Sequence, residues 1–288
     1  MLKVMMRTPG GDREMQLWRR TQGGDIPMVL GQVGDDSQGD TPNPNPVAEP
    51  GVKGFLKTRP FYMAHRFGGT EYPEMTKVGL QASIDAGFRC YEFSTYRTKD
   101  GVYIGSHDWT TKRTTGVKHE IWNTDWATIK TLKQETGPFM RLEEVVEMMP
   151  EGTVLALDHK TTSAGINTNP DDLASEEALF KKLEELFDDP TERVIWKLFS
   201  GSDSAERAKA RGYTVMCMVY ENELDAADLS RWDILGLEWN ATQAGWDRLK
   251  AAGKPTIAHI ITSASQARVA LDKGADGLMS SVPSTVHP

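Results

Sequence analysis

Long apolar runs are missing from this chain: none approaches the ~20 residues a bilayer span needs. Residues 1–11, MLKVMMRTPGG, hold no apolar stretch long enough for an export leader. A soluble protein without membrane insertion is expected, cytoplasmic or carried outside as part of a larger particle such as a virion. Cysteine is scarce. Cys90 and Cys217 both lie in apolar strand-like runs, where buried free thiols are expected rather than a disulfide or a metal site. Positive charge is also short, 33 Lys and Arg against 41 Asp and Glu for a net charge of -8. That excludes a broad nucleic-acid face, which needs a basic surface, so a polyanionic ligand must be met by local cations. No internal repeat is visible.

Proline and glycine are concentrated at the start. Residues 1–58 are rich in Gly, Asp, Gln and Pro, and residues 41–50, TPNPNPVAEP, form a polyproline-like spacer. An extended tether is expected there, with 26–30, IPMVL, as a piece able to dock on an assembly partner. From residue 59 to 288 the pattern changes to one of alternating strands and helices. Strands are predicted at 61–65, 89–95, 153–160, 193–199, 214–220, 234–239, 256–261 and 277–280. Helical patterns at 75–86, 142–149, 176–187, 202–210, 241–251 and 265–273 lie between most of them. Such an α/β alternation predicts a (β/α)8 TIM-type barrel, and periodicity alone leaves an open doubly wound sheet as the alternative.

The most informative stretch is 89–108. From Cys90 the residues alternate, so Glu92 and Ser94 share a face opposite Tyr91 and Phe93. Asp100-Gly101 reads as a two-residue hairpin turn, which makes paired positions sum to 201 and sets His107 opposite Ser94. On the third strand, smaller residues belong inside the barrel and larger ones outside. Asp158 and Lys160 then line the mouth, while His159 faces the helices. The first strand ends in Ala64-His65-Arg66, and strand parity alone points Lys197 inward on the fourth.

Gathered at one mouth, these residues suit phosphodiester chemistry. Oxygen ligands from Glu92, Asp158 and Glu74 fit a hard divalent ion, Ca²⁺ or Mg²⁺. Arg66, Lys160 and Lys197 fit a phosphate. His65 and His107 can act as general base and general acid. Plainer readings stand beside these: Glu92 as the ion-pair partner of Arg66 or Lys160, and Asp158 and Lys160 paired with each other. His119, His159, His259 and His287 read as structural or surface groups. Trp109 and Trp239 can wall the pocket, and the polar segment 109–118 either covers the mouth or is simply solvated.

Several short motifs in this order resemble the glycerophosphodiester phosphodiesterase family. They are Ala64-His65-Arg66, residues 72–76 (YPEMT), Glu92-Phe93-Ser94, residues 98–101 (TKDG) with His107-Asp108, Asp158-His159-Lys160, and residues 274–283 (GADGLMSSVP). The resemblance spans 60–284. It implies a (β/α)8 barrel with one Ca²⁺ or Mg²⁺ ion. It also implies catalytic histidines at His65 and His107, phosphate contacts at Arg66 and Lys160, and metal ligands at Glu92 and Asp158. The Asp-x-Lys on the third strand is similar to that of the related sphingomyelinase D lyases.

Three positions depart from the family pattern. Its Glu-x-Asp is Glu92-Phe93-Ser94 here, placing a neutral hydroxyl at a metal-ligand position. His-Arg-Gly has become His65-Arg66-Phe67, and Pro-Glu-Asn-Thr has become Pro73-Glu74-Met75-Thr76. Two functions follow as expectations. One is a phosphodiesterase using metal and histidine acid/base catalysis, with the teichoic acid of a bacterial envelope as a substrate and a phage tail as the setting. The other is a catalytically weakened barrel that binds phosphate polymers within a larger assembly.

Overall fold

Eight strands form where the apolar runs lie: Phe61–Ala64, Cys90–Arg97, Val154–His159, Val194–Phe199, Thr214–Met218, Ile234–Glu238, Thr256–Ile261 and Gly277–Ser280. All eight are parallel and pair in chain order. The eighth pairs with the first (Ser280↔Ala64) and the first with the second (Ala64↔Tyr91), which closes the barrel and removes the open-sheet alternative. The computed structural model describes residues 49–160 and 172–288, and before them only the backbone pairing of four short strands.

Helices follow at Lys77–Asp85, Leu142–Met148, Asp172–Leu186, Ser204–Ala210, Gln243–Ala251 and Ala264–Asp272. Thr76, Thr242 and Ser263 each start one by accepting a hydrogen bond from a first-turn amide, which satisfies a donor the helix leaves open. Thr76, from the Pro-Glu-Met-Thr motif, thus has a structural role.

The predicted faces are the observed ones. Met63, Cys90, Val154, Ala156, Ile195, Met216 and Met279 fill the barrel interior. Tyr91, Phe93, Leu155, Leu157 and Trp196 pack outward under the helices. His159 is buried outside with its ring 5.6 Å from that of Trp196.

Two expectations change. The compact unit holding the barrel is Val47–Pro288 rather than 59–288. Helix Gly51–Lys57 belongs to it, because Val52 and Phe55 join the interior cluster and the Phe55 ring meets Phe61 edge-on at 5.1 Å. The other unit, Met1–Pro46, holds two antiparallel ladders, Lys3–Thr8 with Gly11–Gln16 and Trp18–Thr21 with Gly24–Pro27, where an extended tether was expected. Residues 28–48, with most of the proline spacer, lie outside the described residues.

The second change is the hairpin register. Thr95 pairs with Gly105, Tyr96 with Ile104 and Arg97 with Tyr103, so paired positions sum to 200 rather than 201. The loop has three residues, Lys99, Asp100 and Gly101. Only Gly101 takes positive φ, at 93°, and its amide donates to Thr98 O at 3.0 Å; this is the type I turn with a left-handed glycine. Asp100 Oδ1 holds it by accepting from Thr98 Oγ1 at 2.6 Å and the Trp126 amide at 2.9 Å. Ser94 therefore lies across from Ser106, whose amide donates to Ser94 O at 2.9 Å, and His107 emerges one residue later.

Candidate active site

A cavity of about 70 Å³ opens at the C-terminal ends of the strands, where barrels of this kind keep their chemistry. His65, Arg66, Glu92, His107, Asp158, Lys160 and Lys197 line it, with Phe199, Met218, Tyr220, His259, Ile260 and Met279 as the apolar and aromatic wall. Seven of the nine expected site residues thus converge on one space. The other two, Ser94 and Glu74, adjoin it through hydrogen bonds. Grooves of about 290 and 530 Å³ on the helical flanks are larger, but neither gathers two imidazoles with lysines.

At the floor, Asp158 Oδ2 accepts from Lys160 Nζ at 2.7 Å, Lys197 Nζ at 3.1 Å and Ser94 Oγ at 3.0 Å. Glu92 Oε1 lies 3.3 Å from Lys197 Nζ and 3.2 Å from Ser94 Oγ, and its Oε2 accepts from the Arg66 amide at 2.7 Å. All four charged side chains are buried. Burial works to raise the pKa of both carboxylates, but it is outweighed. Lys197, His65 and Arg66 hold Glu92 below its usual value, and Lys160 and Lys197 hold Asp158 well below. Burial pulls Lys197 down, and Asp158 and Glu92 more than reverse it. The expected Asp158–Lys160 pair is therefore present, within a larger network.

The two histidines are held differently. His65 Nδ1 lies 2.6 Å from Ser281 Oγ, which leaves Nε2 without a partner among the described residues. Burial pushes its pKa down to about 3, against the opposing pull of Glu92. His107 Nδ1 meets Asp108 Oδ1 at 2.9 Å. Its pKa is lowered by burial and by Lys160 and Arg66, with Asp108 opposing. Burial thus favours the neutral form of both rings in the ligand-free protein.

Arg113 is a residue that sequence reasoning missed. It sits on a short helix, Lys112–Thr115, inside the segment expected either to cover the mouth or to be solvated. Its Nε donates to Asp108 Oδ2 at 2.6 Å and its fork grips Glu74 at 2.6 and 3.1 Å. Glu74 also accepts from Arg66 Nη1 at 2.9 Å. A chain His107, Asp108, Arg113, Glu74, Arg66 thus ties one imidazole to the phosphate-binding candidate. The signal available beforehand was an arginine in the loop just after His107-Asp108. Arg66 Nε is buried without a partner among the described residues, a donor available to a ligand oxygen.

A (β/α)8 barrel whose mouth gathers two imidazoles with buried, carboxylate-anchored cations belongs to the class of barrels suited to phosphoryl chemistry. Within that class the chain belongs to the glycerophosphoryl diester phosphodiesterase family, whose model matches residues 65–279.

Solved structures agree on the fold. An Oleispira antarctica phosphodiesterase in complex with the product sn-glycerol-3-phosphate is 21% identical, with a TM-score of 0.66 over 78% of this chain and 94% of that one. A glycerophosphodiester phosphodiesterase from Thermotoga maritima is 19% identical, with a TM-score of 0.60 over 77% and 94%. Among curated proteins, the uncharacterized YqiK of Bacillus subtilis is 32% identical over 74 residues, 26% of this chain, and the match spans only 30% of that relative.

The family typically uses a divalent metal, so the expected ligands can be tested against the geometry. Glu74 is taken up by two guanidiniums. Glu92 and Asp158 are bridged by the Lys197 ammonium, which contacts both, and by the Ser94 hydroxyl, whose single proton lies between them. Among the described residues no group of three or more His, Cys, Asp or Glu is placed to share an ion. These residues do not fit a divalent ion as they stand.

Proposed function

We propose that this chain cleaves glycerophosphodiester-type phosphodiesters, with His65 and His107 as the acid/base pair. The observation that carries the reading is that both imidazoles line one cavity with Arg66, Lys160 and Lys197. A diester phosphate seated there meets three cations, and charge building on its oxygens is stabilised by donors already in place. One neutral imidazole takes the proton of the nucleophile, which is either water or the neighbouring hydroxyl of the glycerol. The other returns a proton to the leaving alkoxide. The anionic substrate is itself the counter-charge that draws a proton onto one of two rings whose ligand-free affinity is low. Attack by the substrate hydroxyl gives a cyclic phosphate first; attack by water gives the monoester directly.

The test is turnover of glycerophosphocholine and of poly(glycerol phosphate), followed by phosphorus NMR. The histidine variants His65→Ala and His107→Ala are expected to lose roughly 10²–10⁴-fold in kcat with the fold intact. Unchanged rates in either would remove the mechanism.

The second reading, a phosphate-polymer binding module, is favoured by Ser94 standing where the family has a carboxylate. Binding of poly(glycerol phosphate) without turnover would select it. The setting in a phage tail or other envelope-facing assembly, with residues 1–58 as the attachment, belongs to the same proposal and rests on sequence layout.

A further inference from the structure

We infer that the Lys197 ammonium takes the place of a divalent cation between Glu92 and Asp158, so that this mouth is assembled and holds a phosphodiester without metal. The inference rests on reading the site as a phosphodiester site.

Position is the first support. Lys197 Nζ lies 3.3 Å from Glu92 Oε1 and 3.1 Å from Asp158 Oδ2. One cation thus contacts both carboxylates that would otherwise be the ligand pair. Ser94 is the second. Its hydroxyl lies 3.2 Å from that same Glu92 oxygen and 3.0 Å from that same Asp158 oxygen. A carboxylate there would add a third negative ligand, whereas the hydroxyl supplies a proton between two oxygens already present.

Charge is the third support. Glu92 and Asp158 are balanced by Lys160 and Lys197 inside a space where each of the four is at most 6% exposed. Adding a dication would leave two uncompensated positive charges next to a buried ammonium, where repulsion is poorly screened. Lys197, on the fourth strand, stands in register with Asp158 of the neighbouring third, which sets its ammonium beside that carboxylate. Of the other described acids near the mouth, Glu74 is spanned by Arg66 and Arg113 and Asp108 is held by His107 and Arg113, so neither is a reserve ligand. Affinity for hard cations follows the number and charge of oxygen ligands, and both are reduced here.

The experiment reads metal binding apart from turnover. Wild-type protein is assayed for metal content as purified and is next dialysed against chelator. It is then titrated with Ca²⁺ and with Mg²⁺ by calorimetry and melting, and assayed on glycerophosphocholine with and without EDTA. The expected result is no stoichiometric metal, no ion-dependent shift in melting temperature, and turnover indifferent to chelator. A bound ion at about 100 times its dissociation constant would raise the melting temperature by on the order of 5–10 °C. That rise, or chelator-sensitive turnover restored by an ion, overturns the inference.

A double variant, Ser94→Asp with Lys197→Met, is expected to acquire the ion-dependent rise; a folded double variant without it also overturns the assignment. The wild-type titrations decide whether or not the variant folds. Wild-type protein that turns over no diester removes the proposed activity, and the metal titrations still decide this point.

Discussion

Phe67 stands where the family pattern has glycine, and it keeps a glycine-like backbone, φ 59°, next to Arg66 at φ 47°. A left-handed conformation costs a residue with Cβ about 1–2 kcal/mol. The ring offsets this: it is fully buried and stacked on Phe93 with centroids 5.7 Å apart. Removing a buried Phe side chain typically costs ~3–5 kcal/mol, and glycine adds freedom to the unfolded chain. Packing wins, and Phe67→Gly is expected to destabilise the protein by about 2 kcal/mol, read as a lower urea midpoint. A more stable variant would show that strain dominates. The sequence revealed the substitution at 67, but not that Phe93 would be its stacking partner, because two strands must first be placed side by side.

At the scale of elements, the return from the second strand and the loop after it matter most. The three-residue turn at 99–101 sets where His107 leaves the hairpin, and the short helix Lys112–Thr115 brings back Arg113 to hold Asp108 and Glu74. Arg113 acts through other residues and is a positioning group. Its fork serves two carboxylates at once, a geometry lysine cannot copy. Arg113→Ala is expected to lower kcat/KM by roughly 10–100-fold, the usual effect of losing a supporting partner of a reactive imidazole. Arg113→Lys should recover only part of it. Because Asp108 opposes the fall in the His107 pKa, the pH profile should move as well. Equal losses in both variants with an unmoved profile would reduce Arg113 to a surface ion pair.

For the whole molecule, three buried histidines set the response to acid. Burial holds His65 and His159 at about 3 and His259 at about 4, all below the ordinary 6.5. The unfolded chain therefore takes up protons first. Stability is complete above about pH 6.5 and is lost as pH falls toward the folded values, by up to ~1.4 kcal/mol per pH unit for each histidine. Urea midpoints should fall between about pH 7 and pH 5. His159→Gln, on the outer face of the third strand and packed by Trp196, should flatten that fall. An unchanged slope would mean that this ring protonates in the folded state. The carboxylates Glu92 and Asp158, also held low, add a loss of the same sign at more acidic pH.

The sequence by itself determined the eight strands, the alternation of their faces and the set of polar residues carried to the strand ends. These follow from period-two patterning and from the size difference between interior and exterior positions, which are local properties. Tertiary structure alone decided what those residues do to one another. Lys197 lies between Glu92 and Asp158 only because three strands are laid side by side in one register. Glu74 is lost as a ligand only because a loop about forty residues later returns an arginine to it. Helix Gly51–Lys57 joins the barrel only because the strand starts leave an apolar floor for Phe55. Charge balance and close packing depend on distance in space, and nothing in the order of residues along the chain fixes that distance until the barrel closes.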